Sequence, residues 1–234
     1  MNAHLSQFRP SRRIRTIEAL ISVMVLVWIA GSAVWAATPA CAQQPRMPVS
    51  LTQAGEYGEN IYDAAKAGNW SSSKSILKKL KASLVHVRAE VGDQLTGKRD
   101  LDAATAALGS AISLKNRQTA MQNANRVTFL VAEMSRPYKQ RAPVELTELD
   151  YYGRELEMWS AAKDMRRLQQ AASGMTTSWR TVRPRVVSHG GKAQAGKFDS
   201  LMGRLAKAKT PTDYGRLATP ILDEVDMLEN VFLR

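Results

Sequence analysis

Residues 117–138 read RQTAMQNANRVTFLVAEMSRPY. Apolar side chains recur three or four positions apart in this stretch, at Ala120, Ala124, Val127, Val131, Met134 and Tyr138. This spacing matches the turn of an α-helix, so the apolar side chains line one face and the polar side chains occupy the other. The stretch is therefore predicted to be an amphipathic helix that buries one face.

The same period recurs in other parts of the chain, at residues 70–92, 165–187 and 221–232. Shorter helices rich in Ala and Gly are predicted ahead of these four, at residues 51–67, 98–115, 144–162 and 196–208. The alternating pattern of a β-strand is missing from the sequence, and aromatic residues make up only 6% of it. We therefore predict an all-α fold of about eight helices.

Four short stretches resemble one another at the predicted helix junctions. They read AAKAGNW around Lys66, AISLKNR around Lys115, SAAKDMR around Lys163 and RLAKAKT around Lys207. In the first three, an Asn or Asp follows the Lys within three residues and is predicted to cap the next helix by accepting from its free N–H groups. Thr210 and Pro211 are predicted to start the helix at the fourth junction.

These junctions indicate four antiparallel αα-hairpins, which could have arisen by duplication. The hairpins are expected to form either a helical bundle, with two similar halves at residues 51–138 and 144–234, or a short solenoid. Thr219 and Pro220 interrupt the last apolar stripe, so the helix there is predicted to be kinked or split.

The first 42 residues have the order of a secretory signal peptide. Four Arg side chains and one acid precede residue 19, and residues 19–37 carry no charge. Small residues at Ala40 and Ala42 then allow cleavage between Ala42 and Gln43. Two alternatives stay open: the apolar run is long enough for an uncleaved membrane anchor, and Cys41 could carry a lipid.

Each of these interpretations places the rest of the chain outside the cytoplasm, and a bacterial periplasm fits best. That part comprises a linker at residues 43–50 and a helical domain at residues 51–234. The protein is predicted to contact a membrane only through its N-terminal segment, and only if that segment is not cleaved.

The residues needed for common catalytic or cofactor sites are missing. The single Cys excludes an internal disulfide and a thiolate metal cage, and the sequence has no C-x-x-C-H haem motif. Of the two His after the leader, His86 lies one position off its helix stripe and is expected in solvent, and His189 precedes Gly190-Gly191 in a predicted loop. Both His are badly placed for a nucleophilic triad and no Cys follows the leader, so no enzyme activity and no cofactor are predicted.

The densest acidic stretch is ELTELDYYGRELEMW, residues 145–159. Glu148 and Glu155 are two helical turns apart and share a face, so Glu145, Glu148 and Glu155 are weak candidates for metal ligands. An alternative function is therefore a metal- or cofactor-binding bundle that uses helix carboxylates. The stretch also fits an ordinary charged helix face near a helix start.

Charge is uneven towards the C-terminus. Residues 180–209 contain eight Lys or Arg side chains and one acid, Asp199, whereas residues 211–234 contain five acids and two Arg. One interpretation is a basic patch for an anionic partner, with candidate residues Arg180, Arg183, Arg185, Lys192 and Lys197. In the other, the acidic last helix packs beside this segment and neutralises it.

Together these features predict an exported helical protein that binds a partner or acts as an accessory factor through its surface, with no reaction assigned. The expected partner is an envelope protein or an anionic surface. Nucleic acid is not expected, because an exported chain rarely meets it and no binding motif accompanies the basic residues.

Overall fold

The computed structural model describes residues 45–92 and 96–233. Within these residues the chain forms eight α-helices, which confirms the predicted all-α class. A single bridge between Arg46 and Lys139 is the one β-type pairing in this part of the chain. The helices are α1 (Val49–Lys66), α2 (Trp70–Val91), α3 (Lys98–Ser113), α4 (Arg117–Ser135), α5 (Val144–Ala162), α6 (Met165–Ser188), α7 (Lys192–Leu205) and α8 (Pro211–Phe232).

The predicted caps at the hairpin junctions are confirmed. The side chain of each cap residue accepts a hydrogen bond from the backbone N–H three positions further on, and the four caps are Asn69, Asn116, Asp164 and Thr210. Asp213 also accepts from the backbone N–H of Thr210, which completes a capping box at the start of α8. The caps fix where the second helix of each hairpin begins.

The first four helices close into one bundle. α1 packs against both α2 and α4, and α3 packs against α4 and α2. The last four helices pack in the same order, with α5 against α6 and α8 and with α7 against α8 and α6. In a solenoid, successive hairpins stack on each other, whereas here the first helix of each group packs against the fourth. The arrangement is therefore a pair of four-helix bundles.

Each bundle has its own apolar core. The core of the first bundle contains Leu51, Ile61, Leu80 and Leu108, and that of the second contains Leu149, Leu168, Met175 and Phe198. These side chains lie on the apolar stripes of the helices, which explains why the helical period in the sequence predicted the fold.

Equivalent positions of the two bundles carry similar residues. PVSLTQAGEYG (48–58) leads into α1 and PVELTELDYYG (143–153) leads into α5, and they share Pro, Val, Leu, Thr, Tyr and Gly at matching positions. The shared Gly58 and Gly153 each face the fourth helix of their bundle, where a Cβ would lie 2.5 Å from Thr128 Oγ1 and 2.6 Å from Leu222 Cδ2. The similarity is limited to these positions, and two similar halves of common origin stay a prediction.

Several sequence-based predictions differ from the structure; α4, for example, ends at Ser135 rather than at residue 138. The last helix is predicted to be kinked or split; a split is wrong, because α8 runs unbroken through Pro220, and a kink there stays a prediction. Pro220 is exposed, so its ring projects away from the core, while Leu217 and Ile221 stay buried on the neighbouring turns of the helix. α1 begins at Val49, inside the predicted linker, and α7 begins at Lys192, ahead of the predicted residue 196.

Candidate functional site

The acids of α5 lie along the seam where the two bundles meet. Arg136, which follows α4, donates to Glu133 and Glu145 at 2.8 and 3.0 Å and also to Glu148. The hydroxyl of Ser178 on α6 donates to the second oxygen of Glu148. Glu148 is only 8% exposed. The Arg136 guanidinium therefore donates hydrogen bonds to three carboxylates from two helices.

Burial and the hydrogen-bonding partners of Glu148 have opposite effects on the pKa of its carboxyl. Desolvation raises the pKa of this carboxyl above its ordinary value, while the Ser178 hydroxyl and the Arg136 charge lower it. The hydrogen bond to Glu133 is the main cause of a raised pKa at Arg136, which stays protonated. This arrangement neutralises a buried carboxylate at a helix interface.

Glu155 belongs to a separate group on the same helix. It accepts hydrogen bonds from Asn125 Nδ2 at 3.0 Å and from Trp159 Nε1 at 2.6 Å. Burial raises the pKa of Glu155, and these two donors oppose the shift. The structure thus brings Glu145 and Glu148 together at Arg136 but leaves Glu155 with other partners.

A groove opens beside the Arg136 ion pairs and has a volume of about 390 Å³. Its lining combines α4, α5 and α6, including Phe129, Tyr152 and Thr181. The Tyr152 ring lies so close to Gly174 that a Cβ there would be 2.2 Å from Cζ. In the part of the chain that the structure describes, no group of three or more His, Cys, Asp or Glu is placed to hold a metal ion.

The opposite side of α5 carries a second polar cluster, which the sequence analysis missed. Arg154 pairs with Asp150 at 2.9 Å and lies over the Tyr62 ring of α1 at 4.9 Å. The Tyr62 hydroxyl donates to Glu157 at 2.8 Å, and Lys66 pairs with the same carboxylate at 2.5 Å. These contacts join the first bundle to α5 through long side chains.

More acids surround Arg154. Glu59 on α1 and Glu229 on α8 both interact electrostatically with Arg154 and Asp150. Burial, reinforced by the neighbouring carboxylates, raises the pKa of Glu59 and that of Glu229 to about 7. Because the acids come from three helices far apart in the chain, no local motif in the sequence could have revealed the group.

The positive charge of the basic segment, residues 180–209, is only partly neutralised by acids. Arg183 makes a two-pronged ion pair with Asp199 on α7, with a closest distance of 2.7 Å, and Arg185 lies 3.7 Å from Glu145 on α5. These two Arg side chains therefore point to opposite sides of α6. Three other basic side chains are exposed and make no ion pair or side-chain hydrogen bond within the described residues: Arg180, Lys192 and Lys197.

The last helix packs against α6 and α7, as one interpretation of the charge pattern expects, but two of its acids interact with carboxylates outside the basic segment. Asp226 and Glu229 act on Asp150 of α5, and Glu229 also acts on Glu59 of the first bundle. The reason is the packing of α8 against α5, which turns this face of α8 towards the seam.

Two His lie in the part of the chain that the structure describes, His86 and His189. His86 is exposed on α2, as predicted. His189 directly follows α6; its Nδ1 lies 2.8 Å from the Arg185 carbonyl oxygen and its ring lies 4.6 Å from that of Phe232. Neither His approaches a carboxylate of the seam in the described contacts.

Comparisons with protein-family models, with curated proteins and with solved structures find no match to this chain. The predicted leader, the cleavage position between Ala42 and Gln43, and Cys41 lie outside the described residues. Among the described residues, no helix is both long and apolar enough to cross a bilayer.

Proposed function

We propose that this protein is an exported, non-enzymatic binding or accessory protein that engages an anionic surface through α6 and α7. The observation that carries the proposal is the exposed charge of Arg180, Lys192 and Lys197, which is unpaired within the described residues. Asp199 is the one acid in this segment, and Arg183 already occupies it. The exposed surface of α6 and α7 that carries these three side chains therefore keeps an excess of positive charge, which favours an anionic partner.

Anionic lipid headgroups are the partner that suits this face best. Its basic side chains project from outer helix faces rather than into a cleft, which suits a flat array of charges. Each Lys or Arg near an anionic bilayer contributes about 1 kcal/mol of binding, within a Debye length of about 10 Å. An acidic envelope protein is the rival partner.

Export is part of the proposal and rests on the order of charges in residues 1–42. No reaction is assigned. The metal- or cofactor-binding alternative would require the α5 carboxylates to give up their present donors, such as Arg136 at Glu148 and Trp159 at Glu155.

Co-sedimentation of the exported protein with lipid vesicles tests the proposal. We expect binding to vesicles that contain phosphatidylglycerol, weaker binding at higher salt, and little binding to neutral phosphatidylcholine. The variant K192E/K197E should bind anionic vesicles at least about 30-fold more weakly, because about 2 kcal/mol of attraction is lost.

The matched control is K74E/K78E, which makes the same charge change on exposed positions of α2. It should lose much less binding than K192E/K197E. Equal losses in the two variants would show that net charge alone drives binding, and equal binding to anionic and neutral vesicles would rule out the lipid surface.

A further inference from the structure

A second groove lies between the two bundles, where the end of α1 and the start of α4 meet the end of α5. We call it the junction groove, and its lining includes Lys66 of α1, Arg117 and Met121 of α4, and Met158 and Ala162 of α5. Its volume of about 340 Å³ lies within the range of about 300–1,000 Å³ that small-molecule sites occupy. The groove is therefore large enough for a small organic ligand.

The floor of the junction groove is apolar. Met121 and Met158 are 8% and 4% exposed, and both also pack into the core of the first bundle. Ala161 and Ala162 form a wall of small, exposed side chains that leaves the space above the floor open. Methionine side chains adapt their shape to what covers them, so this floor suits a flexible hydrocarbon.

The negative charge at the rim of the groove already has partners. Lys66 Nζ lies 2.5 Å from the Glu157 carboxylate, and the Tyr62 hydroxyl donates to the same carboxylate at 2.8 Å. Arg117, by contrast, makes no ion pair or side-chain hydrogen bond within the described residues. The rim therefore keeps one positive charge without a partner, next to an apolar floor.

The position of the Arg117 guanidinium follows from the turn between α1 and α2. A Cβ on Gly68 in this turn would lie 3.2 Å from Arg117 Nη2, so the guanidinium rests against the turn, two residues beyond Lys66. Arg117 is also the first residue of α4, where the positive end of the helix dipole favours an anion. Both features place positive potential at this end of the groove.

We propose that the junction groove binds an aliphatic carboxylate of the fatty-acid type, with its chain on Met121 and Met158 and its head beside Arg117. The planar guanidinium matches a carboxylate through two parallel hydrogen bonds. A cationic ligand would have to displace Lys66 from Glu157, and an uncharged chain would leave Arg117 without a partner. The groove is lined by α1, α4 and α5, so the proposal does not depend on the basic face of α6 and α7.

The expected affinity is modest because the groove is open and offers one charged contact. A ligand as small as octanoate is expected to have a Kd on the order of 1 mM. Each further methylene that the floor buries should tighten binding by up to about fourfold. An ion pair with exposed Arg117 should add up to about fivefold over an uncharged head.

NMR of 13C-labelled methionine methyl groups in the exported protein tests the site directly. On titration with octanoate, the Met121 and Met158 signals should shift and saturate. Met227, which is 41% exposed on α8, reports unspecific binding and should not shift. Decanoate should bind more tightly than octanoate, and 1-octanol, which has the same chain with an uncharged head, should bind several-fold more weakly.

Charge variants test the role of Arg117. R117E should weaken octanoate binding about 5- to 25-fold, because it removes one attraction and adds a repulsion of similar size. The bundle should still fold, since Arg117 has no acid partner within the described residues and an acid suits the first turn of a helix. The matched control is R141E, the same change at an exposed residue of the connection between α4 and α5, which should bind octanoate as the unaltered protein does.

A bulky side chain in the groove provides a second test. A162F should abolish octanoate binding, whereas A107F, at an exposed position of α3, should retain it. Octanoate shifts at Met227 equal to those at Met121 and Met158, no saturable shift at the latter two, or equal losses in R117E and R141E would each overturn the proposal. K192E/K197E should bind octanoate normally, so failure of the groove and failure of the vesicle experiment are distinguishable.

Discussion

Replacing Gly58 by Ala should destabilise the first bundle, although the same change normally stabilises a helix. A Cβ at this position would lie 2.5 Å from Thr128 Oγ1, 3.2 Å from the Thr128 backbone N and 3.3 Å from the Ala124 carbonyl oxygen. Rotating the Thr128 side chain could relieve the 2.5 Å approach, but the two backbone atoms would stay in tight contact at 3.2 and 3.3 Å. α1 would have to move away from α4, against which it is closely packed.

The expected magnitude is the balance of two effects. Ala gains about 1 kcal/mol of helix propensity over Gly. Overpacking a close helix contact costs about 1–3 kcal/mol, and the 2.5 Å approach places Gly58 towards the upper part of that range. We expect the free energy of unfolding to fall by about 1–2 kcal/mol, which corresponds to a decrease in Tm of about 2–8 °C for a domain of this size.

Urea unfolding followed by circular dichroism measures the change, and exposed helical glycines provide the control. Gly196 and Gly203 on α7 have no atom within 4 Å of the position that a Cβ would take, so Ala should stabilise there by about 1 kcal/mol. T128A in the G58A background should recover part of the loss, because it removes the nearest atom. Equal stabilisation at Gly58 and Gly196 would refute the close contact between α1 and α4.

Two further predictions concern local strain and ionisation. Lys163 has a left-handed backbone with φ of 57°. K163G should therefore raise the free energy of unfolding of the protein by about 0.5–1 kcal/mol, measured by thermal unfolding. K207G, at an exposed position that does not have a positive φ, should not raise it. Burial raises the pKa of Glu155, so the folded state holds this proton more tightly than the unfolded state. Its stabilising effect is present below the ordinary pKa and is lost as pH rises through the raised one. E155Q should therefore flatten the fall in unfolding free energy as pH rises above the ordinary pKa of 4.5. An unaltered pH profile would contradict this.

The helices and their caps could be predicted because their causes are local. The stripe that ends at Met134 follows the helical period, and Asn116 lies next to the N–H groups that it caps. Pro220 shows the limit of such reasoning: a residue that breaks helices is tolerated where its ring faces solvent and the next turn is held by core contacts.

The roles of the α5 acids could not be deduced from their spacing. Glu148 and Glu155 share a helix face, but Arg136 and Ser178 reach one of them while Asn125 and Trp159 reach the other. The partners come from α4 and α6 as well as from α5, so only the packing of three helices decides which donor meets which carboxylate.

The amino-acid pattern alone determined eight amphipathic helices, their junctions and the caps, since each depends on residues within a turn or two of one another. Tertiary structure decided that the hairpins close into two bundles rather than a solenoid, and that acids from α1, α5 and α8 meet around Arg154. Burial and the distances between charges depend on residues far apart in the chain, and these quantities set the pKa values at the seam.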